Sequence, residues 1–345
     1  MTDSRRRAPV TLSAPGGGEG QGEGEVGAAG RPTPPSGPFE IRDYLRLQLM
    51  PHFLCPGCGH GIALRALLWA VHELGIEKDR LAVVSGIGCS GRLGAYIDAN
   101  TFHVTHGRPL AFATGLALVR PDLKCVVITG DGDCLAIGGN HLIHACRRNL
   151  AITCLMLNNE VYGMTGGQVS PTTAECRFTT TTPLGNVEPA FDACRLAEAA
   201  GAGLVGRGIT LEAPALKDLI KEGLGYEGFA FIEVLSDCTE IFGRKNDLGT
   251  SAEMILAQKG AMRPEAYADT VERPFRPTEM RLGVLARNDR PEYGRAYRRQ
   301  AAAGRDGGGG AGRDGGQGNR TPSCPGEARG IQHAEPLDCP GKAGQ

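Results

Sequence analysis

The 345-residue sequence has almost no net charge, with 37 Lys and Arg against 38 Asp and Glu and a formal charge of -1. That balance leaves no basic footprint for nucleic-acid phosphates, and the densest basic run, Arg5-Arg6-Arg7, sits in a terminal arm. Long apolar runs are missing too. None reaches the roughly 20 residues of a membrane-spanning helix, and no apolar signal core follows the N-terminal arginines. A soluble cytoplasmic protein is expected. A second Cys-x-x-Cys is also absent, so Cys55 and Cys58 lack the partner pair of a zinc knuckle. Finally, large apolar residues are scarce at both ends. Residues 1–37 are rich in Gly, Pro and Glu, and residues 301–345 in Gly, Arg and Asp. Neither end buries a core, and both are expected to be disordered. The expected organisation is a disordered arm (1–37), one α/β domain (38–246), a C-terminal extension (247–300) and a disordered tail (301–345).

What the sequence does have in number is cysteine, twelve in all. A reducing compartment disfavours structural disulfides. Cys125, Cys146, Cys154 and Cys194 fall in apolar strands or helices and read as small buried residues. Cys134 and Cys176 are taken as structural or incidental, and Cys324 and Cys339 lie in the expected tail. His141 and His144, three apart on an expected helix, have no third ligand and are read as structural.

The informative stretch runs from Val126 to Gln168. Val126-Val127-Ile128-Thr129 is an apolar, β-branched run that ends in Gly130-Asp131-Gly132-Asp133, and Ile152 to Leu157 ends in Asn158-Asn159. Cys134 to Arg148 is long enough for a crossover helix, so the segment reads as a βαβ unit of a parallel sheet. Ligands of such sheets bind beyond the carboxyl ends of the strands, which would bring Asp131 and Asn159 to one rim. A carboxylate, an amide oxygen and a backbone carbonyl suit magnesium holding a phosphate, and flanking glycines with a helix start suit the phosphate itself. Taken alone, Gly-Asp-Gly is also a common turn and Asn-Asn a common loop.

Three further segments point to the same rim. Leu81 to Ser85 reads as a strand ending in Gly86-Ile87-Gly88-Cys89-Ser90-Gly91, and Phe229 to Leu235 as a strand ending in Ser236-Asp237-Cys238. Cys55-Pro56-Gly57-Cys58-Gly59-His60 is a tight loop before a helix whose apolar face is Ala63, Ala66, Leu67, Ala70, Val71 and Leu74. A lone Cys-x-x-Cys is compatible with zinc, a redox pair or an iron-sulfur ligand. Helices are also expected over Leu110 to Val119, Phe191 to Ala200 and Leu211 to Gly223, and a short strand from Gly203 to Val205. Residues 170–182, rich in Thr, read as a long loop beside the strand ends.

Gly130-Asp131-Gly132 followed by Asn158-Asn159 resembles the thiamine diphosphate signature. The longer run, through Glu160-Val161-Tyr162-Gly163-Met164-Thr165-Gly166-Gly167-Gln168, is similar to the beta subunit of 2-oxoacid:ferredoxin oxidoreductases. The resemblance implies the thiamine diphosphate-binding fold, a mostly parallel sheet with helices on both faces. It implies magnesium at Asp131, Asn159 and the Val161 carbonyl, and cofactor contacts at Ile87, Gly88, Cys89, Ser90, His106, Gly132, Asp133, Gly163 and Met164. It also implies a 4Fe-4S cluster on Cys55, Cys58, Cys89 and Cys238. The partners implied are an alpha subunit carrying the activating carboxylate, ferredoxin, a 2-oxoacid and coenzyme A. Gly138 to Ala145 with Arg147-Arg148-Asn149 is closest to the 2-oxoglutarate enzymes of the family, and Arg92 is a candidate for the substrate's second carboxylate. Pyruvate and branched-chain oxoacids are the nearest alternatives. Some members carry Lys where Gly166 stands here, so a coenzyme A contact of that kind is not implied. A non-oxidative thiamine decarboxylase subunit would keep Asp131 and Asn159 without a cluster, and a zinc-stapled binding module would use Cys55 and Cys58 alone.

Overall fold

Runs of β-branched and aliphatic residues build a seven-stranded sheet in the computed structural model, which describes residues 37–261 and 280–306. The strands are β1 (Leu81–Ser85), β2 (Asn100–His103), β3 (Lys124–Gly130), β4 (Ile152–Asn158), β7 (Leu204–Ile209), β8 (Ala230–Leu235) and β9 (Gly283–Arg287). A small hairpin, β5 (Val161–Tyr162) with β6 (Gln168–Val169), stands apart from it. The order across the large sheet is β2-β1-β3-β4-β8-β7-β9, parallel throughout except for β9.

Side chains alternate between two cores, as the period of a strand requires. Val126 and Ile128 of β3, Leu155 and Leu157 of β4, and Ile232 and Val234 of β8 face α1 (His60–Glu73) and α6 (Ala213–Gly225). Cys125 and Val127, Cys154 and Met156, and Phe229 and Phe231 face α3 (Pro109–Val119), α4 (Gly139–Arg148) and α5 (Ala193–Ala199). Burial on both faces is why these strands are near-continuously apolar. From β1 the chain steps outward to β2, then returns to lay β3 on the other side of β1. The crevice of an open parallel sheet lies at such a reversal.

Two details of the fold differ from expectation. The crossover expected as one helix from Cys134 to Arg148 is a π-helical turn, Gly132–Ile137, followed by α4. Gly107 packs against the end of the π-helical turn, where a Cβ on it would stand 1.5 Å from Ile137 Cγ2. Within the expected C-terminal extension, α7 (Ser251–Ala257) opens with a Thr250–Glu253 capping box and β9 pairs antiparallel with β7. Residues 301–306, expected in the tail, finish helix α8 (Tyr293–Asp306); its Ala301-Ala302-Ala303 stretch is a strong helix former. The rest of the expected tail and residues 1–36 of the expected arm lie outside the described residues.

Candidate cofactor site

The carboxyl ends of β1, β3 and β4 surround one cleft. Ile87, Gly88, Cys89 and Ser90 enter it from β1, Asp131, Gly132 and Asp133 from β3, and Asn159, Val161, Gly163 and Met164 from beyond β4, with His106 closing one side. Each of these was expected from the sequence. His60, Tyr162 and Thr165 also line the cleft, and the sequence reading gave Tyr162 and Thr165 no role.

The two aspartates of the β3 loop are held differently. Asp131 is buried, and its Oδ2 accepts from the Ser170 hydroxyl at 2.5 Å and lies 2.7 Å from the Thr172 hydroxyl. Burial raises its carboxyl above the usual range, against the pull of those two hydroxyls. Asp133 is a structural tie. Its carboxylate accepts the Gly107 N–H at 2.6 Å and the Thr129 hydroxyl at 2.7 Å, and lies 2.7 Å from His106 Nδ1. The same carboxylate fills the space beside Gly86, where a Cβ would stand 1.7 Å from its Oδ2. Asp133 therefore joins the loops after β1, β2 and β3.

Across the cleft, the Tyr162 hydroxyl donates to the Gly132 carbonyl at 3.1 Å, and its ring occupies the volume a side chain at residue 132 would need. Gly88, at φ 118° with open space where a Cβ would stand, lets backbone approach a ligand closely. His60 is buried and its pKa falls to about 4, chiefly through burial, so the imidazole is neutral at physiological pH.

The cysteine corner adjoins this cleft. The Cys58 carbonyl accepts the Asp237 N–H at 3.2 Å and the Pro56 carbonyl accepts the Thr239 hydroxyl at 2.9 Å, docking the Cys55–Cys58 loop on the end of β8. Cys89 and Cys238 meet at Gly163: a Cβ there would stand 3.2 Å from Cys238 Sγ, 3.8 Å from Cys89 Sγ and 3.9 Å from Asn159 Nδ2. Burial raises the Cys89 thiol to about 11, and Cys238, Cys55 and Cys58 push in the same direction. Cys58 and Cys238 are raised by burial as well. Among the described residues no three His, Cys, Asp or Glu gather tightly enough to hold a metal ion. Arg92 does not line the cleft. It is exposed, with its guanidinium 5.7 Å from the centre of the Phe53 ring.

Comparison with known proteins agrees with this geometry. Residues 86–234 match the family described as thiamine pyrophosphate enzyme, C-terminal TPP binding domain. The 2-oxoglutarate synthase subunit KorB of Methanothermobacter marburgensis is 49% identical over 216 residues, covering 63% of this chain and 76% of that protein. The Archaeoglobus fulgidus subunit of the same name is 51% identical over 199 residues, 58% of this chain and 74% of its own. A solved 2-oxoglutarate:ferredoxin oxidoreductase from Magnetococcus marinus, with 2-oxoglutarate, coenzyme A and succinyl-CoA bound, superimposes with a TM-score of 0.65 at 31% identity. That match covers 80% of this chain and 93% of the other. No described helix is long and apolar enough to cross a membrane. A thiamine pyrophosphate-binding domain, its cleft at the sheet reversal and this degree of identity agree: the chain belongs to the KorB family of 2-oxoglutarate:ferredoxin oxidoreductase beta subunits.

Proposed function

We propose that the chain is the beta subunit of a cytoplasmic 2-oxoglutarate:ferredoxin oxidoreductase. With an alpha subunit it would convert 2-oxoglutarate and coenzyme A to succinyl-CoA and carbon dioxide, the electrons leaving through a 4Fe-4S cluster to ferredoxin. When bound, thiamine diphosphate supplies the carbon nucleophile and the electron sink for decarboxylation. The chain's own residues hold and orient it. Asp131, Asn159 and the Val161 carbonyl would carry magnesium on the diphosphate, a set of hard oxygen donors that leaves positions for phosphate oxygens. Ser170 and Thr172 keep Asp131 aimed, and Asp133 keeps the three strand-end loops in register.

Cys55, Cys58, Cys89 and Cys238 would carry the cluster. Tetrahedral zinc needs sulfurs about 3.8 Å apart, from Zn–S bonds of about 2.3 Å. A cluster is larger and takes four thiolates from dispersed segments. The observation that carries the proposal is the position of Gly163, where one methyl group would touch two of the four thiols and approach the magnesium-side amide. A cluster held by these thiols would adjoin the proposed magnesium site and supply an electron acceptor there. That proximity favours the oxidative reaction over the non-oxidative decarboxylase.

The test is co-expression with the alpha subunit and purification without oxygen, followed by assays of iron, sulfide and ferredoxin reduction with 2-oxoglutarate, pyruvate and branched-chain oxoacids. About four irons per beta chain and coenzyme A-dependent reduction with 2-oxoglutarate are expected, with no turnover from the beta subunit alone. Iron-free protein that still binds thiamine diphosphate would replace this reading with the decarboxylase. Preference for another oxoacid would correct the substrate alone.

A further inference from the structure

Asn158 precedes the proposed magnesium ligand Asn159 and does not line the cleft. Its side chain turns inward, 4% exposed, and both ends of its amide are engaged. Oδ1 accepts the Glu160 N–H at 3.1 Å and lies 2.9 Å from the Thr172 hydroxyl, while Nδ2 donates to Glu233 Oε1 at 2.8 Å. The bond to Glu160 closes an Asx turn across Asn159, and Glu160 takes φ 62°, a conformation uncommon outside glycine. That turn carries Asn159 and Val161 into the cleft.

A carboxylate only accepts and an N–H only donates, so the Asn158 amide has one orientation that satisfies both neighbours. Glu233 is what enforces it. On β8 and 1% exposed, Glu233 is itself fixed by Arg207 Nε, 2.5 Å from Oε2, and Arg207 reaches Asp192 Oδ1 at 2.6 Å. A buried charge pair contributes little net stability, and neither Glu233 nor Arg207 lines the cleft. One oxygen of Glu233, Oε2, is taken by Arg207 and by the Cys194 thiol at 3.4 Å, beside the Asp192 N-cap of α5; the other, Oε1, holds Asn158.

We propose that Glu233 is a positioning residue for magnesium: by orienting Asn158 from behind β4 it presets the turn that presents Asn159 and the Val161 carbonyl. The inference rests on the magnesium reading given above. It predicts that an outer-shell residue facing away from the ligand sets metal affinity, an effect of roughly 10- to 100-fold in other metal sites.

The experiment uses the complete chain in complex with its alpha subunit, stripped of cofactor and titrated with magnesium at saturating thiamine diphosphate by calorimetry. The double variant Glu233→Met/Arg207→Met removes the buried charges together and is expected to fold, because apolar replacement of such pairs is often neutral. It leaves Asn158 Nδ2 without an acceptor, and magnesium affinity should fall about tenfold. Glu233→Gln/Arg207→Met returns an acceptor and should restore affinity, a rescue that a merely structural role would not give. Unchanged affinity in the Met/Met variant, or no recovery in the Gln/Met variant at equal melting temperature, overturns the inference. Wild-type complex that binds thiamine diphosphate without needing magnesium overturns the metal reading instead, and the inference falls with it.

Discussion

The cysteines inside the sheet and those at its rim are the same residue in two settings. Cys125, Cys146, Cys154 and Cys194 are all but fully buried in strands and helices. Cys55, Cys58, Cys89 and Cys238 sit in loops that start or end elements, and none of them is fully buried. Burial is the main cause that raises Cys125, Cys146 and Cys194 inside and Cys58, Cys89 and Cys238 at the rim. Burial alone pushes Cys125 up to about 12, against the pull of Lys124. Burial of Cys89 is joined by the three other rim thiols. At the rim, several thiols that can be reached from outside share one corner. Burial without access marks a space-filling residue.

The sharpest way to test the contrast is at the rim. Cys238→Ser should take iron and ferredoxin reduction to background while thiamine diphosphate binding persists, read by iron analysis and calorimetry on the same sample. Asp131→Asn should do the reverse, weakening magnesium by more than the roughly 100-fold ceiling of an outer-shell change and leaving iron in place. Gly163→Ala tests the point where the two meet. Its Cβ would press on Cys238 Sγ, and an overpacking cost of about 1–3 kcal/mol should appear as partial iron loss and a lower melting temperature.

The smallest effect belongs to the interior. Cys125→Ala should cost on the order of 1 kcal/mol and leave iron and turnover per folded enzyme unchanged. It should also alter the response to alkali. The folded chain keeps this thiol protonated from its ordinary 9.0 up to about 12. Within that window the unfolded chain releases a proton that the folded one retains, so stability falls as pH rises. Cys125→Ala removes this contribution, and its melting temperature should decline less between pH 9 and 12 than that of the unsubstituted protein.

The rim was legible in the sequence because each of its parts is local. A β-branched run stopping at Gly-Asp-Gly, another at Asn-Asn and a third at Gly-Ile-Gly-Cys each announce a strand end, and parallel strands put all three on one edge. What holds the rim was not legible. The Ser170 and Thr172 hydroxyls reach Asp131 from some 40 residues away, and Asn158 meets Glu233 at a separation of 75. No periodicity carries such a pairing. β2 was missed because an edge strand with an exposed, polar pattern has no apolar signature, and β5 and β6, at two residues each, are too short for one. Arg92 was chosen by its position after Cys89, and position says nothing of direction.

The antiparallel strand β9 has a consequence in time. Arg287 pairs with Leu204, about 80 residues earlier in the chain. At a synthesis rate of about 5–20 residues per second, β7 emerges from the ribosome on the order of 4–16 s before the strand that covers its edge. Through that interval the nascent sheet presents an open ladder of backbone donors and acceptors, a template for pairing with other chains. A shorter path between β7 and β9 would bring that cover sooner.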